Sequence, residues 1–261
     1  MSEADAVLEL AVRLAREAGR LQRERYETRL EIRAKGSPID LVTEIDRACE
    51  QLIVDGIAAR RPGDAIEAEE GGTGGREDGA WRWVIDPLDG TVNYAHGYPR
   101  FCVSIGVEHE GRRRVGVVYD PLLDELYTAV RGQGAWLGSR RLRVSETRSL
   151  ADALVATGFA YDVRRSEEDN LDHFAGLVKR ARAVRRDGSA ALDLCYVAAG
   201  RLDAYWELKL HPWDVAAGLL VVDEAGGRTS DLSGAPAPRS GRECLASNGW
   251  LHDELAAALA R

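Results

Sequence analysis

Apolar residues recur at helical spacing over residues 3–27. Val7, Leu10, Leu14, Ala18 and Leu21 fall on one face with charges between them, which predicts an amphipathic helix. Glu31 to Arg33 reads as the start of a strand, broken by Lys35-Gly36-Ser37-Pro38. Thr43-x-x-Asp46 has the form of a capping box with Asp for Glu. Ile45, Cys49, Leu52, Ile53 and Ile57 carry the following helix to Arg60-Arg61-Pro62-Gly63. Ile66 to Glu70 reads as a short strand, and Gly71 to Gly79 as a glycine-rich, charged loop.

Trp83-Val84-Ile85 is a short apolar run, read as a buried strand that stops at Asp86 because Pro87 follows. Beyond residue 91 the pattern turns to β. Phe101–Glu108, Arg114–Tyr119, Glu125–Val130 and Gly134–Leu137 alternate and are bounded by turn residues, which predicts an antiparallel meander. From about residue 150 strands and helices alternate. Strands are expected at 154–157, 184–186, 203–207 and 245–246, and helices at 167–180, after Gly188-Ser189-Ala190, at 214–225 and at 250–259. The expected class is a layered α/β chain of one domain. An N-terminal α+β subdomain spans about 1–145 and a C-terminal α/β subdomain about 146–261.

Composition narrows the classes. The chain has 261 residues, is 45% hydrophobic and carries a net charge of −8, with a pI near 5.3. That argues against a general binder of nucleic acid or anionic membranes. Cys49, Cys102, Cys195 and Cys244 are far apart and have no metal-type spacing, as expected of reduced, buried thiols. With no secretory pattern at the N-terminus and no apolar run of membrane length, a cytoplasmic protein is expected.

Two stretches carry chemistry. In Asp86-Pro87-Leu88-Asp89-Gly90-Thr91 two carboxylates lie three residues apart and can converge. Like charges that converge favour a cation between them, and hard oxygens suit Mg²⁺. Thr91 then opens a helical turn whose N–H groups favour an anion. Taken alone, the same residues also make an ordinary surface turn. Glu69-Glu70 ends the preceding strand, near enough in the chain to share a strand end with Asp86. In the second stretch, Pro212-Trp213-Asp214-Val215-Ala216-Ala217-Gly218, Asp214 stands where a helix begins, so it is a cap, a ligand or both. The five histidines are scattered, and no nucleophile elbow, P-loop or dinucleotide fingerprint is present.

With Trp83 to Asn93 and Trp213 to Gly218 in view, followed by Glu224-Ala225-Gly226-Gly227, the chain resembles the inositol monophosphatase family of lithium-sensitive, magnesium-dependent phosphatases. Residues 185–194 and 198–203 resemble its bacterial branch. The resemblance implies the alternating α/β/α/β/α sugar-phosphatase fold and a homodimer. It implies Mg²⁺ ligation by Glu69, Asp86, the Leu88 carbonyl, Asp89 and Asp214. Thr91 and Asp46 would help Glu69 activate a water. Backbone N–H groups of Gly90 and Thr91 would hold the phosphate. Gly188, Ser189, Ala190 and Glu207 would line the alcohol side, with Lys35 near the metals. Departures from the family pattern include Gly71-Gly72 after Glu70, Val92 and Tyr94. The implied substrate is a small sugar or polyol phosphate, inositol monophosphate first. The alternatives are 3′-phosphoadenosine 5′-phosphate, fructose 1,6-bisphosphate and histidinol phosphate. An alternative of another class is a protein that contacts the transcription machinery, through the arginines at 112–114 and 185–186.

Overall fold

The computed structural model describes every residue except Met1, Gly36, Ser37, Gly75, Glu77, Asp78 and Arg261. The two central residues of the 35–38 breaker thus lie outside the described residues. The chain begins with α1 (Glu3–Arg25), capped by the Ser2 hydroxyl and Asp5. β1 (Ile32–Ala34) and β2 (Leu41–Thr43) form a small antiparallel ribbon that leads into α2 (Glu44–Arg60). Then follow β3 (Ala65–Ala68), β4 (Thr73–Gly74), β5 (Trp81–Asp89), α3 (Thr91–Ala95), β6 (Cys102–His109), β7 (Arg112–Asp120), β8 (Glu125–Val130), β9 (Gly134–Leu137) and β10 (Arg140–Arg141). These strands build one large sheet, in the order β10-β9-β8-β7-β6-β5-β3-β4. The expected meander is its β6-to-β9 portion.

The second half is β11 (Leu154–Thr157), α4 (Leu171–Val178), β12 (Ala183–Arg185), α5 (Ala190–Ala198), β13 (Ala204–Leu208), α6 (Pro212–Glu224), β14 (Arg228–Ser230), β15 (Glu243–Ser247) and α7 (His252–Leu259). Its five strands order as β12-β11-β13-β15-β14. β11 is parallel to both β12 and β13, and β15 runs antiparallel to its neighbours.

The strand period of two sorts side chains into three cores. Trp83, Ile85, Val103, Ile105, Val115 and Val117 face α1 and α2. Val118, Tyr127 and Ala129 face the other way, onto α5 and α6, which meet Tyr205, Cys244 and Ala246 of the second sheet. Ala204, Trp206 and Leu245 point outward onto Leu177 of α4 and Leu255 and Leu259 of α7. Five layers, α/β/α/β/α, follow directly, as the family resemblance implies. All four cysteines are buried free thiols.

The central helix α6 lies unusually close to the large sheet. Gly106 and Gly116 are paired neighbours on β6 and β7. A Cβ on Gly106 would sit 2.5 Å from the Ala216 Cβ, and one on Gly116 would sit 2.8 Å from the Ala217 carbonyl oxygen. Bare backbone on the sheet and alanine on the helix set how deep the N-terminus of α6 sits.

Several boundaries differ from expectation. β5 does not stop at Asp86 but runs through Pro87 to Asp89, with a register shift against β6 between Asp86 and Asp89. A proline disfavours helix at the residue before it, here Asp86, and leaves the extended conformation open. A bulge accommodates a residue with no N–H to give to the ladder. The 71–79 loop contains β4, paired to β3. α4 starts at Leu171, four residues after the expected Glu167, because Asn170 is left-handed with φ 67°. β10 and β14 are too short to leave a pattern.

Candidate active site

Two strand ends meet first. β3 runs parallel to β5 with Ala68 opposite Ile85, and the Glu69 N–H donates to the Ile85 carbonyl at 3.2 Å. Glu69 therefore stands beside Asp86, at the shared strand end that the sequence suggests. The Asp86 carboxylate accepts the Leu88 N–H at 3.0 Å, which holds the bulge. The segment then turns at Gly90, φ 97°. A Cβ there would lie 2.7 Å from the Arg100 carbonyl oxygen, so glycine alone fits.

Thr91 opens α3, and its hydroxyl lies 2.8 Å from Asp46 Oδ1 and 3.0 Å from the Leu88 carbonyl oxygen. Asp46 is already oriented by the expected capping box. Its Oδ2 accepts the Thr43 N–H at 2.8 Å and the Thr43 hydroxyl at 2.5 Å. It is fully buried and reaches the cleft through Thr91.

Two more acids are fixed by helix ends. Asp89 Oδ2 accepts the Ser189 hydroxyl at 2.7 Å and the Ala191 N–H at 2.8 Å, where α5 begins. One carboxylate thus joins segments a hundred residues apart. Asp214 Oδ2 accepts the His211 N–H at 2.7 Å and caps its own helix. These bonds fall on Oδ2 in both residues, so Oδ1 remains for a ligand.

Glu69, Asp86, Leu88, Asp89, Gly90, Thr91, Gly188, Ser189, Ala190, Glu207 and Asp214 line a single cleft. Lys35 sits at its rim, where its ammonium donates to Glu69 Oε1 at 2.9 Å and also to Glu70. Sequence reasoning missed the segment Thr157 to Tyr161, Arg186 and Lys209, which line the same cleft. It also missed Glu50, whose carboxylate holds the turn after Glu69. Glu50 lies one helical turn beyond Asp46, and that i, i+4 spacing was the available signal.

Electrostatics mark the cleft. Burial pushes the Asp86 carboxyl well above its usual range, and the charges of Glu69, Asp89 and Asp214 push it further. Burial raises Asp89, against the Ser189, Ala191 and Ala190 donors that lower it. Burial raises Asp214 well above its usual range, opposed by the His211 N–H and reinforced by Glu69, Asp89 and Glu207. Burial raises Glu69, opposed chiefly by Lys35. Burial alone would lower the Lys35 ammonium, but Glu69 and Glu70 outweigh it and hold it above its ordinary value.

These donors fit Mg²⁺. They are hard oxygens, four of them carboxylates crowded enough to raise one another's pKa, with the Lys35 ammonium against one of them. Among the described residues no three acids, histidines or cysteines yet surround one point.

The sequence matches the inositol monophosphatase family over residues 3–261. The chain belongs to that family. It is 48% identical over 230 residues to an inositol-1-monophosphatase of Synechocystis, covering 88% of this chain and 80% of the relative. It is 45% identical over 268 residues to the Escherichia coli protein named Nus factor SuhB, covering 98% and 99%. The solved inositol monophosphatase of Anabaena superposes with a TM-score of 0.90 at 41% identity, covering 99% of this chain and 97% of that one. As a member of this family the protein is a phosphatase with the family's layered fold.

Proposed function

We propose that this phosphatase is Mg²⁺-dependent and hydrolyses inositol monophosphate by direct attack of water. The observation that carries the reading is the buried Thr91–Asp46 hydrogen bond beside Glu69 and the three aspartates. Glu69, Asp86, Asp89, Asp214 and the Leu88 carbonyl would hold the metal. When bound, it would supply Lewis acidity, lower the pKa of a water and neutralise phosphate charge. Thr91 donates its proton to Asp46, so its oxygen lone pair is turned toward the cleft to accept from the attacking water. Glu69 takes the proton that water loses. The Gly90 and Thr91 N–H groups hold phosphate oxygens, and Glu207 with Gly188, Ser189 and Ala190 faces the leaving alcohol. A phosphate-monoester barrier is among the largest that enzymes meet, which suits so concentrated a set of charges.

The inositol assignment is supported by the Synechocystis relative, which is named an inositol-1-monophosphatase, and by Glu207, a carboxyl able to receive a polyol hydroxyl. Lithium sensitivity, a homodimer and a cytoplasmic location belong to the same proposal. No helix among the described residues is long and apolar enough to cross a membrane. A second reading, action in transcription, is supported by the name Nus factor of the Escherichia coli relative. Against it, Arg113 is half-buried and turns inward to the Pro238 carbonyl.

The test is a phosphate-release panel with and without Mg²⁺, using inositol monophosphate, 3′-phosphoadenosine 5′-phosphate, fructose 1,6-bisphosphate and histidinol phosphate. Inositol monophosphate should give the highest kcat/KM. Asp89→Asn keeps an oxygen for Ser189 and Ala191, so it should fold and lose turnover. Near-normal turnover of a folded Asp89→Asn protein would end the metal reading.

A further inference from the structure

Helix α2 carries two buried carboxylates on one face, Asp46 and, one turn later, Glu50. Asp46 holds Thr91. Glu50 does something parallel for a different part of the cleft: its Oε2 accepts the Glu70 N–H and its Oε1 accepts the Gly72 N–H, each at 2.8 Å. Those two donors flank the tight turn after Glu69, in which Gly71 has φ 93° and its N–H reaches Ala68 at 3.3 Å. One carboxylate fork thus ties both arms of the turn to the helix.

The fork also explains Gly72. A Cβ at residue 72 would lie 2.7 Å from Glu50 Oε1 and 3.0 Å from its carboxyl carbon. Any side chain there displaces the carboxylate. Glu50 moreover sets a second buried carboxylate beside Glu70, and like charges repel. A neutral acceptor would avoid that repulsion. An anion gains where it adds negative potential to a cleft that binds a cation.

We propose that Glu50 is a positioning residue for the metal site: by clamping the 69–72 turn to α2 it aims Glu69 and sets the affinity for Mg²⁺. This rests on the reading of Glu69 as a ligand. α2 then serves as a common support, holding the water-activating pair with Asp46 and a ligand-bearing turn with Glu50.

The experiment compares Glu50→Gln with Glu69→Gln and the parent protein. Glutamine keeps one acceptor and turns an NH₂ toward the other N–H. In the metal-free protein, exchange of the Glu70 and Gly72 amides should accelerate, with β5 amides unchanged. Calorimetric Mg²⁺ affinity should weaken by about 10–100-fold, the usual effect of losing a group that orients a ligand. At saturating Mg²⁺, kcat should return to within about threefold of the parent, because the bound ion then holds Glu69 itself. Glu69→Gln should lose turnover that Mg²⁺ does not restore. Unchanged Mg²⁺ affinity in Glu50→Gln, or a kcat loss that saturating Mg²⁺ leaves in place, would overturn the proposal for Glu50 alone. Near-normal activity of Glu69→Gln would instead overturn the ligand reading beneath it. If Glu50→Gln fails to fold, Gly72→Ala displaces the same carboxylate from the other side and is judged by the same two outcomes.

Discussion

Glu207→Gln should make the protein more stable above neutral pH and no more stable in mild acid. The Glu207 carboxyl is partly buried at the cleft wall, with Tyr205 donating its hydroxyl to Oε2. Burial pushes its pKa from 4.5 up to about 7, with Tyr205 and Arg186 acting against the shift and Asp89 adding to it. Between pH 4.5 and about 7 the folded protein therefore keeps a proton that the unfolded chain has lost. Stability falls as pH rises through that window, and the cost is complete above it. A shift of this size corresponds to roughly 3 kcal/mol. The part falling between pH 5 and pH 8 is roughly 2–3 kcal/mol. The open edge of Glu207 toward the cleft makes this an upper value. Glutamine can accept the same Tyr205 hydroxyl but never ionises. Urea unfolding of parent and variant, both in chelator, at pH 5 and pH 8 reads the difference, and the other buried acids titrate in both proteins and cancel to first order. An advantage for Glu207→Gln that is the same at both pH values would refute the buried-charge account. Its counterpart in activity is Glu207→Ala. That variant should lower kcat/KM for inositol monophosphate by about 1–3 kcal/mol, leaving a small aryl phosphate and the Mg²⁺ dependence untouched. Equal losses on both substrates would remove the main residue-level support for inositol.

Thr91→Ala and Asp46→Asn should each lower kcat by about 10²–10⁴-fold, and the double variant should lose little more than either single one, because the two act through one hydrogen bond; multiplicative losses in steady-state kinetics would separate them. Gly116→Ala should cost about 1–3 kcal/mol in urea unfolding and raise the Mg²⁺ needed for half-maximal activity, since its Cβ meets the backbone of α6 behind Asp214. Gly63→Ala, with nothing within 4 Å of the added Cβ, is the control and should stay within about 0.5 kcal/mol. His252 is buried between the Ser230 and Ser247 hydroxyls, and burial lowers its pKa from 6.5 to about 4. The unfolded chain therefore binds a proton first, and stability is lost as pH falls from 6.5 toward 4; His252→Gln should flatten that part of the urea-midpoint profile against pH.

Much of this molecule is written locally. The spacing of Val7, Leu10, Leu14 and Ala18 is enough for α1. The alternation between Phe101 and Leu137 is enough for the meander. Thr43 and Asp46 cap α2 through atoms only three residues apart. Such features depend on backbone period and sterics within a few residues, and those are legible in a single sequence. The two carboxylates of Asp86-Pro87-Leu88-Asp89 and the cap position of Asp214 were legible for the same reason. What surrounds them was not. Pro87 inside β5 depends on a bulge against β6. The strand end that Glu69 shares with Asp86 was suggested by their nearness in the chain, but the register of β3 on β5 that produces it was not. The Thr91–Asp46 pair spans 45 residues and was implied only by resemblance to a family. Asp89 became the cap of a helix a hundred residues away, because Gly106 and Gly116 let α6 settle onto the sheet and α5 packs beside it. Local pattern sets which side chains point inward. Register and the depth of helix packing, decided by the whole core at once, set which of them meet.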